Sequence, residues 1–236
     1  MNDAPGPKSI HLLAGGQRSR RSSGDPLLTR VLEGAGVPSP SIAYVGAASG
    51  DDRPFFKMLS GYLTDCGAGE VTLAPLAGRW VKPKKTEAIL ESADMILISG
   101  GDVEAGMEVL EERKILRFFR DLYAGGKPFF GISAGSIMLG KQWVLWDDPD
   151  DDATASVFPC MGLASVNCDT HGEAEGWEEL QALVRLTGQG TCGYGIPTGA
   201  GLCVYPDGTV EALGAPVQCY VNKGGAVVHS ADVVSR

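Results

Sequence analysis

Lys127-Pro128-Phe129-Phe130-Gly131-Ile132-Ser133-Ala134-Gly135-Ser136 is the stretch on which the fold turns. Its first half is a short apolar run that reads as a buried strand. Its second half is Gly131-x-Ser133-x-Gly135, leading into the helix-compatible Ser136-Ile137-Met138-Leu139. A strand that turns sharply into a helix around a Ser is a nucleophile elbow. The turn leaves no room for side chains on either side, so glycines flank the Ser, whose hydroxyl projects over the end of the sheet. Backbone N–H groups at such a turn can stabilise an oxyanion.

Strand-then-helix units precede the elbow. Ser9–Ala14 reads as a first strand ending at Gly15-Gly16. Asp25 reads as an N-cap and Pro26 as the first residue of a helix reaching about Ala35. Ile42–Val45 is a second strand, and Phe55, Phe56, Leu59 and Leu63 recur at helical spacing in a helix over about Asp52–Cys66. Val71–Leu73 is a third strand, Thr86–Ala93 a short helix, and Met95–Ile98 a fourth strand ending at Ser99-Gly100-Gly101-Asp102. Helical pattern covers Val103–Leu110 and about Glu112–Tyr123. Continuous apolar strands alternating with helices predict a parallel sheet covered on both faces. After Gly140 the pattern changes. An acidic run, Asp147–Asp152, precedes a predicted strand over Met161–Val166, which ends at Asn167–His171. A helix follows over about Gly176–Leu186. The remaining short pieces, Gly193–Ile196, Gly201–Tyr205, Thr209–Ala212, Gln218–Val221 and Ala226–His229, predict late strands that join a mixed sheet antiparallel.

Composition narrows the function. The chain has 236 residues, enough for one α/β domain over 1–236. Its net charge of −9 argues against a nucleic-acid partner, and Arg18-Ser19-Arg20-Arg21 is its one basic cluster. No apolar run is long enough to span a bilayer, and the first residues lack a signal-peptide layout. Cys66, Cys160, Cys168, Cys192, Cys203 and Cys219 form no C-x-x-C pair; they read as reduced thiols of a cytoplasmic protein. No nucleotide-binding fingerprint is present, and no cofactor is expected.

A serine needs a base. Of the three histidines, His11 sits inside the first strand and His229 in the last hairpin. His171 follows a predicted strand, on the edge where open α/β sheets bind ligands. Gly100 and Gly101 end the fourth strand, where backbone can approach a substrate carbonyl. The N–H groups of Gly101 and Ala134 would form a two-donor oxyanion hole, with Asp102 doubling as a helix N-cap. Asp148 and Asp169 are both candidates for the acid that orients His171. Asp169 would share its face if the strand persisted.

These residues together resemble the peptidase E / cyanophycinase family of serine peptidases. The resemblance rests on Gly131-Ile132-Ser133-Ala134-Gly135-Ser136, on Ile98-Ser99-Gly100-Gly101-Asp102, on the single His after a late strand and on the small-residue strand ends at Gly15-Gly16 and Val45–Ser49, and it runs from about residue 8 to about residue 205. It implies a three-layer flavodoxin-like α/β sandwich, similar to the class I glutamine amidotransferases, with a mostly parallel sheet. It also implies a metal-free cytoplasmic serine hydrolase of exopeptidase or dipeptidase type, taking a small peptide; the apolar elbow helix and the tail hairpins suit either a monomer or a homodimer. Ser133 matches the family nucleophile, His171 its base, Gly101 and Ala134 its oxyanion donors, and Asp148 an Asp about fifteen residues after the nucleophile.

The chain also departs from the family. Thr198 stands where a Glu is usual, Gly172 replaces an aromatic residue after the His, and arginines beyond it give way to Glu173-Ala174-Glu175-Gly176-Trp177-Glu178-Glu179. Carboxylates there, Glu173 first, would disfavour an aspartyl substrate and favour an amine or a basic side chain. Gly100, Asp102 and Arg18 are further candidate substrate contacts. The second expectation is a catalytically silent relative that binds a ligand or partner through the same pocket, which Thr198 and Gly172 favour.

Overall fold

The computed structural model describes residues 6–15, 24–148 and 151–235. The elements follow in chain order. They are β1 (Ile10–Leu13), α1 (Pro26–Glu33), β2 (Ile42–Val45), α2 (Arg53–Asp65), β3 (Val71–Leu73), α3 (Pro83–Ser92), β4 (Met95–Ile98), α4 (Val103–Glu112) and α5 (Leu116–Ala124). Next come β5 (Phe129–Ile132), α6 (Ala134–Leu139), β6 (Gln142–Trp146), β7 (Ala155–Pro159), β8 (Asn167–Thr170), α7 (Glu178–Leu186) and β9 (Cys192–Ile196). The last four are β10 (Gly201–Val204), β11 (Val210–Leu213), β12 (Gln218–Lys223) and β13 (Ala226–His229).

Among the described residues the main sheet has seven strands in the order β11-β10-β1-β5-β4-β2-β3. The run β1-β5-β4-β2-β3 is parallel, and β10 and β11 extend it antiparallel beyond β1. The order β3-β2-β4-β5 is that of a flavodoxin-like unit. Alternation along each strand feeds two cores. Ile42 and Tyr44 face α1 and α2, packing with Leu28, Val31, Leu59 and Leu63. Ala43 and Val45 face the other way, toward Met107 of α4, Phe119 of α5 and Met138 of α6. The three-layer α/β sandwich of the sequence reading is therefore the observed fold.

Local chemistry explains the helix starts. Asp25 caps α1 by accepting Leu27 N–H at 2.8 Å, and Pro26 fills the first helical position. Asp52 caps α2 through Phe55 N–H at 2.6 Å. α3 begins at Pro83, earlier than the predicted Thr86, again with Pro at the first turn.

Two expectations are corrected. First, Met161–Val166 is not a strand. Its amides turn back onto α6: Met161 N–H donates to Met138 O at 2.9 Å, Gly162 N–H to Gly140 O at 2.8 Å and Ala164 N–H to Leu139 O at 2.8 Å. The apolar segment thus caps the C-terminal end of α6 and satisfies carbonyls the helix leaves open. Second, the late strands do not all join the main sheet. β8, β9, β12 and β13 form a separate sheet in the order β13-β12-β9-β8, and β6 pairs with β7 in a hairpin that begins its turn at Asp147 and Asp148. α7 lies between the two, with Leu180 and Val184 against Tyr220 and Val227 on one side and Ala182 and Leu183 against Val144 on the other. It starts at Glu178 rather than near Gly176, because Trp177 takes a left-handed conformation at φ 64.

Candidate active site

β5 lies between β1 and β4, so the elbow is flanked by Leu13–Gly15 on one side and Ser99–Gly101 on the other. Ser133 adopts φ 55, ψ −128, a conformation few non-glycine residues tolerate. Its N–H donates to Leu13 O at 2.8 Å, its C=O accepts from Ser136 N–H at 2.8 Å, and the Ser136 hydroxyl donates to the same Leu13 O at 2.8 Å. Both flanking glycines are required by close approach. A Cβ on Gly135 would lie 2.0 Å from Ile98 O, and one on Gly131 2.6 Å from Ser136 N. Among the described residues the Ser133 hydroxyl caps nothing and makes no hydrogen bond.

Gly100 faces Ser133: a Cβ there would lie 3.1 Å from Ser133 Cβ. Gly101 follows at φ +146, packed so tightly that a Cβ would lie 2.0 Å from Ala48 O. Asp102 caps α4, accepting Ala105 N–H at 2.8 Å. Neither the Gly101 nor the Ala134 amide is bonded to a backbone carbonyl outside regular structure among the described residues. Ala134 opens α6, where the first amides have no intrahelical partner.

His171 comes from the second sheet. β8 and β9 are parallel, with Thr170 opposite Ile196, so the turns that leave both strands emerge side by side. The β9–β10 turn is stitched to the end of β1 by Gly199 N–H to Gly15 O at 2.7 Å and Ala14 N–H to Ala200 O at 3.1 Å. His171 thereby reaches the sheet edge beside the elbow, although 38 positions separate it from Ser133 in sequence (171 − 133). An apolar cavity of about 260 Å³ opens there, lined by Leu27, Phe55, Leu59 and Ile132 with His171 on its rim. Asp25 also lines it, but its carboxylate is engaged by Leu27 N–H and by the Tyr62 hydroxyl at 2.9 Å.

Among the described residues neither candidate acid hydrogen-bonds the His171 ring. β8 ends at Thr170, and His171 turns off it at φ 66, so strand alternation does not carry Asp169 to its side. Asp169 is buried and accepts a hydrogen bond from Thr170 N–H. Burial pushes its carboxyl up to about 7, against that bond, with Glu179, Glu173 and Glu175 adding to the rise. Asp148 sits on the β6–β7 turn, its backbone bonded to the Thr154 hydroxyl. The Nδ1 of His171 meets Thr198 Oγ1 instead, at 3.1 Å. Thr198 N–H in turn donates to Glu173 Oε1 at 2.9 Å, so Glu173 is turned toward the β9–β10 turn.

Gly172 also has a structural reason. The buried Trp177 ring lies against it, and a Cβ there would meet that ring at 2.8 Å and Asp169 Oδ2 at 2.9 Å. Arg18 lies outside the described residues. No group of three or more His, Cys, Asp or Glu side chains among the described residues is placed to hold a metal ion, and all six cysteines are free.

The sheet order and the elbow define an α/β protein of the peptidase E type. A crystal structure of a peptidase from an acI-B1 Actinobacterium superposes with a TM-score of 0.71 over 97% of this chain and 96% of that one, at 16% identity. A putative peptidase E from Listeria monocytogenes superposes at 0.60 over 87% and 98%, with 13% identity. By sequence, peptidase E of Haemophilus influenzae is 25% identical over 169 residues, 68% of this chain and 73% of that protein. The pyridoxal 5'-phosphate synthase subunit PdxT of Hyperthermus butylicus is 39% identical over 70 residues, 30% of this chain. This match and those to two Geobacillus PdxT subunits span only 35 to 52% of those proteins' length. Residues 10–211 match the family model of peptidase family S51, and the chain belongs to that family.

Proposed function

We propose that this chain is a serine peptidase that hydrolyses a small peptide or amide. The observation that carries the reading is the strained Ser133, held at φ 55 against Gly100 and directly after Ile132, which lines a cavity together with His171. In this mechanism His171 Nε2 takes the Ser133 proton as Oγ attacks the substrate carbonyl carbon. Charge moves onto the carbonyl oxygen, which the Gly101 and Ala134 amides receive. The tetrahedral adduct collapses, and His171 passes the proton to the departing amine. Water, activated by the same His, then hydrolyses the acyl-enzyme and restores Ser133. Nε2 makes no hydrogen bond among the described residues, leaving it available to the hydroxyl; such catalytic bonds commonly tighten only with substrate present.

The cavity supports an apolar substrate side chain next to the scissile bond. Among the described residues its walls are aliphatic and aromatic, and the one carboxylate among them, Asp25, is already bonded twice. The amine or basic preference expected from Glu173 has less support, since that carboxylate is bonded to Thr198. The six free thiols are in keeping with a cytoplasmic setting.

The test is labelling with a fluorophosphonate, followed by hydrolysis of dipeptides with leucyl, phenylalanyl, lysyl and aspartyl first residues. Wild type should label, and Ser133→Ala and His171→Ala should each lose at least ~10³-fold in rate. Full labelling of Ser133→Ala would sink the proposal. An unlabelled wild type would shift the weight to a silent ligand-binding relative.

A further inference from the structure

We propose that Glu173 is a positioning residue for His171, acting through Thr198. This rests on the serine-peptidase reading above. Two contacts meet on one threonine: His171 Nδ1 to Thr198 Oγ1 at 3.1 Å, and Thr198 N–H to Glu173 Oε1 at 2.9 Å. A threonine hydroxyl has one proton to donate and lone pairs to accept with. Oγ1 accepts from Nδ1–H, and the Glu173 carboxylate, bonded to the amide of the same threonine, holds Thr198 in that place. An Nδ1–H donor fixes the tautomer that leaves the Nε2 lone pair free for the Ser133 proton, and Glu173 places a negative charge one residue away from the imidazolium that would form during attack. Threonine alone supplies orientation without charge; Glu173 supplies the charge.

The surrounding structure holds Glu173 in this place. Residues 171–177 form a closed loop, pinned by Trp177 N–H to Gly172 O at 2.8 Å. His171 and Trp177 both take positive φ, at 66 and 64. The Trp177 ring fills the space beside Gly172 and under Gly195, which fixes the loop against β9, the strand that leads to Thr198. The carboxylate is ionised near neutrality. Burial alone would raise its pKa, but hydrogen bonds from the Thr198 side chain and amide, together with the His171 charge, hold it below the usual range. The other nearby acid, Asp169, is bonded to Thr170 N–H.

The relay is solvent-exposed, so screening limits its effect to roughly three- to tenfold in rate. The test compares fluorophosphonate labelling rates of the full chain as wild type, Glu173→Gln, Thr198→Val, their combination, Thr198→Ser and the double variant Glu173→Gln/Thr198→Glu. The Gln oxygen can still accept from Thr198 N–H, so Glu173→Gln removes charge and leaves the loop's bond. Glu173→Gln and Thr198→Val should each slow labelling by about three- to tenfold, and combining them should slow it no further, because both cut one chain. Thr198→Ser should match wild type. The double variant, with a carboxylate directly beside Nδ1, should recover most of the rate; a loop-building role for Glu173 alone would give no such rescue. Glu173→Gln labelling at the wild-type rate, with Ser133→Ala and His171→Ala silent, overturns the relay and leaves the peptidase reading intact. An unlabelled wild type overturns both.

Discussion

At the scale of single residues, the site is set by positions that have no room for another atom. Gly101→Ala would drive a methyl group into Ala48 O at a backbone angle only glycine adopts readily. We expect a loss on the order of 3 kcal/mol, read by chemical denaturation. Asp169 offers a different test. Its carboxyl is pushed up to about 7 by burial, so between about pH 4 and 7 the folded state binds a proton that the unfolded state has released. The sign follows: this group's contribution falls as pH rises through that window. Asp169→Asn removes the titration. The variant should gain on wild type by on the order of 1–3 kcal/mol between pH 4 and pH 8, measured as the difference in unfolding free energy. A constant difference across that range would refute the assignment.

Elements bring these residues together by register and by caps. β8 and β9 would be unremarkable short strands but for their parallel pairing, which sets the His171 and Thr198 turns side by side. Trp177 locks that arrangement. It is 1% exposed and lies against Gly172 and Gly195. Truncation to Ala should cost about 3–5 kcal/mol. At temperatures where the variant is still folded, labelling of Ser133 should also slow, because the loop that carries His171 loses its anchor. Wild-type labelling in a destabilised Trp177→Ala protein would mean that the loop holds its geometry without the ring. The Met161–Val166 segment shows the limit of reading elements one at a time. It has a strand's composition, yet its amides serve the end of α6. An apolar run pairs with whichever unsatisfied backbone is nearest, and sequence does not say which that is.

On the scale of the whole molecule, the site exists only where two sheets meet. The main sheet supplies Ser133 and the oxyanion candidates, the second sheet His171 and Thr198, and the β9–β10 turn bonds them at Gly15 and Ala14. One core runs through both, with Cys168 of β8 and Ile196 of β9 clustered with Ile10 and Phe129 of the main sheet. We expect a single cooperative unfolding transition in which far-ultraviolet circular dichroism and tryptophan fluorescence coincide. Two resolved transitions would mean that the second sheet melts by itself and takes His171 with it.

The parallel α/β core was legible in the sequence because apolar period, caps and glycines act over a few residues. Asp25 with Pro26 announces α1, and Gly131-x-Ser133-x-Gly135 announces the elbow, whatever the rest of the chain does. Thr198 and Glu173 were also visible, but as a missing charge and a stray one. Their meeting depends on the parallel register of β8 with β9, on the left-handed turns at His171 and Trp177, and on a tryptophan ring filling the place beside Gly172. Such contacts join residues 25 and 27 positions apart, and no local periodicity encodes them. Short-range sterics let the sequence determine the parallel strands of the core, the helices between them and the elbow at Ser133. Long-range register, which only the folded chain possesses, decided that Thr198 and, behind it, Glu173 stand beside His171.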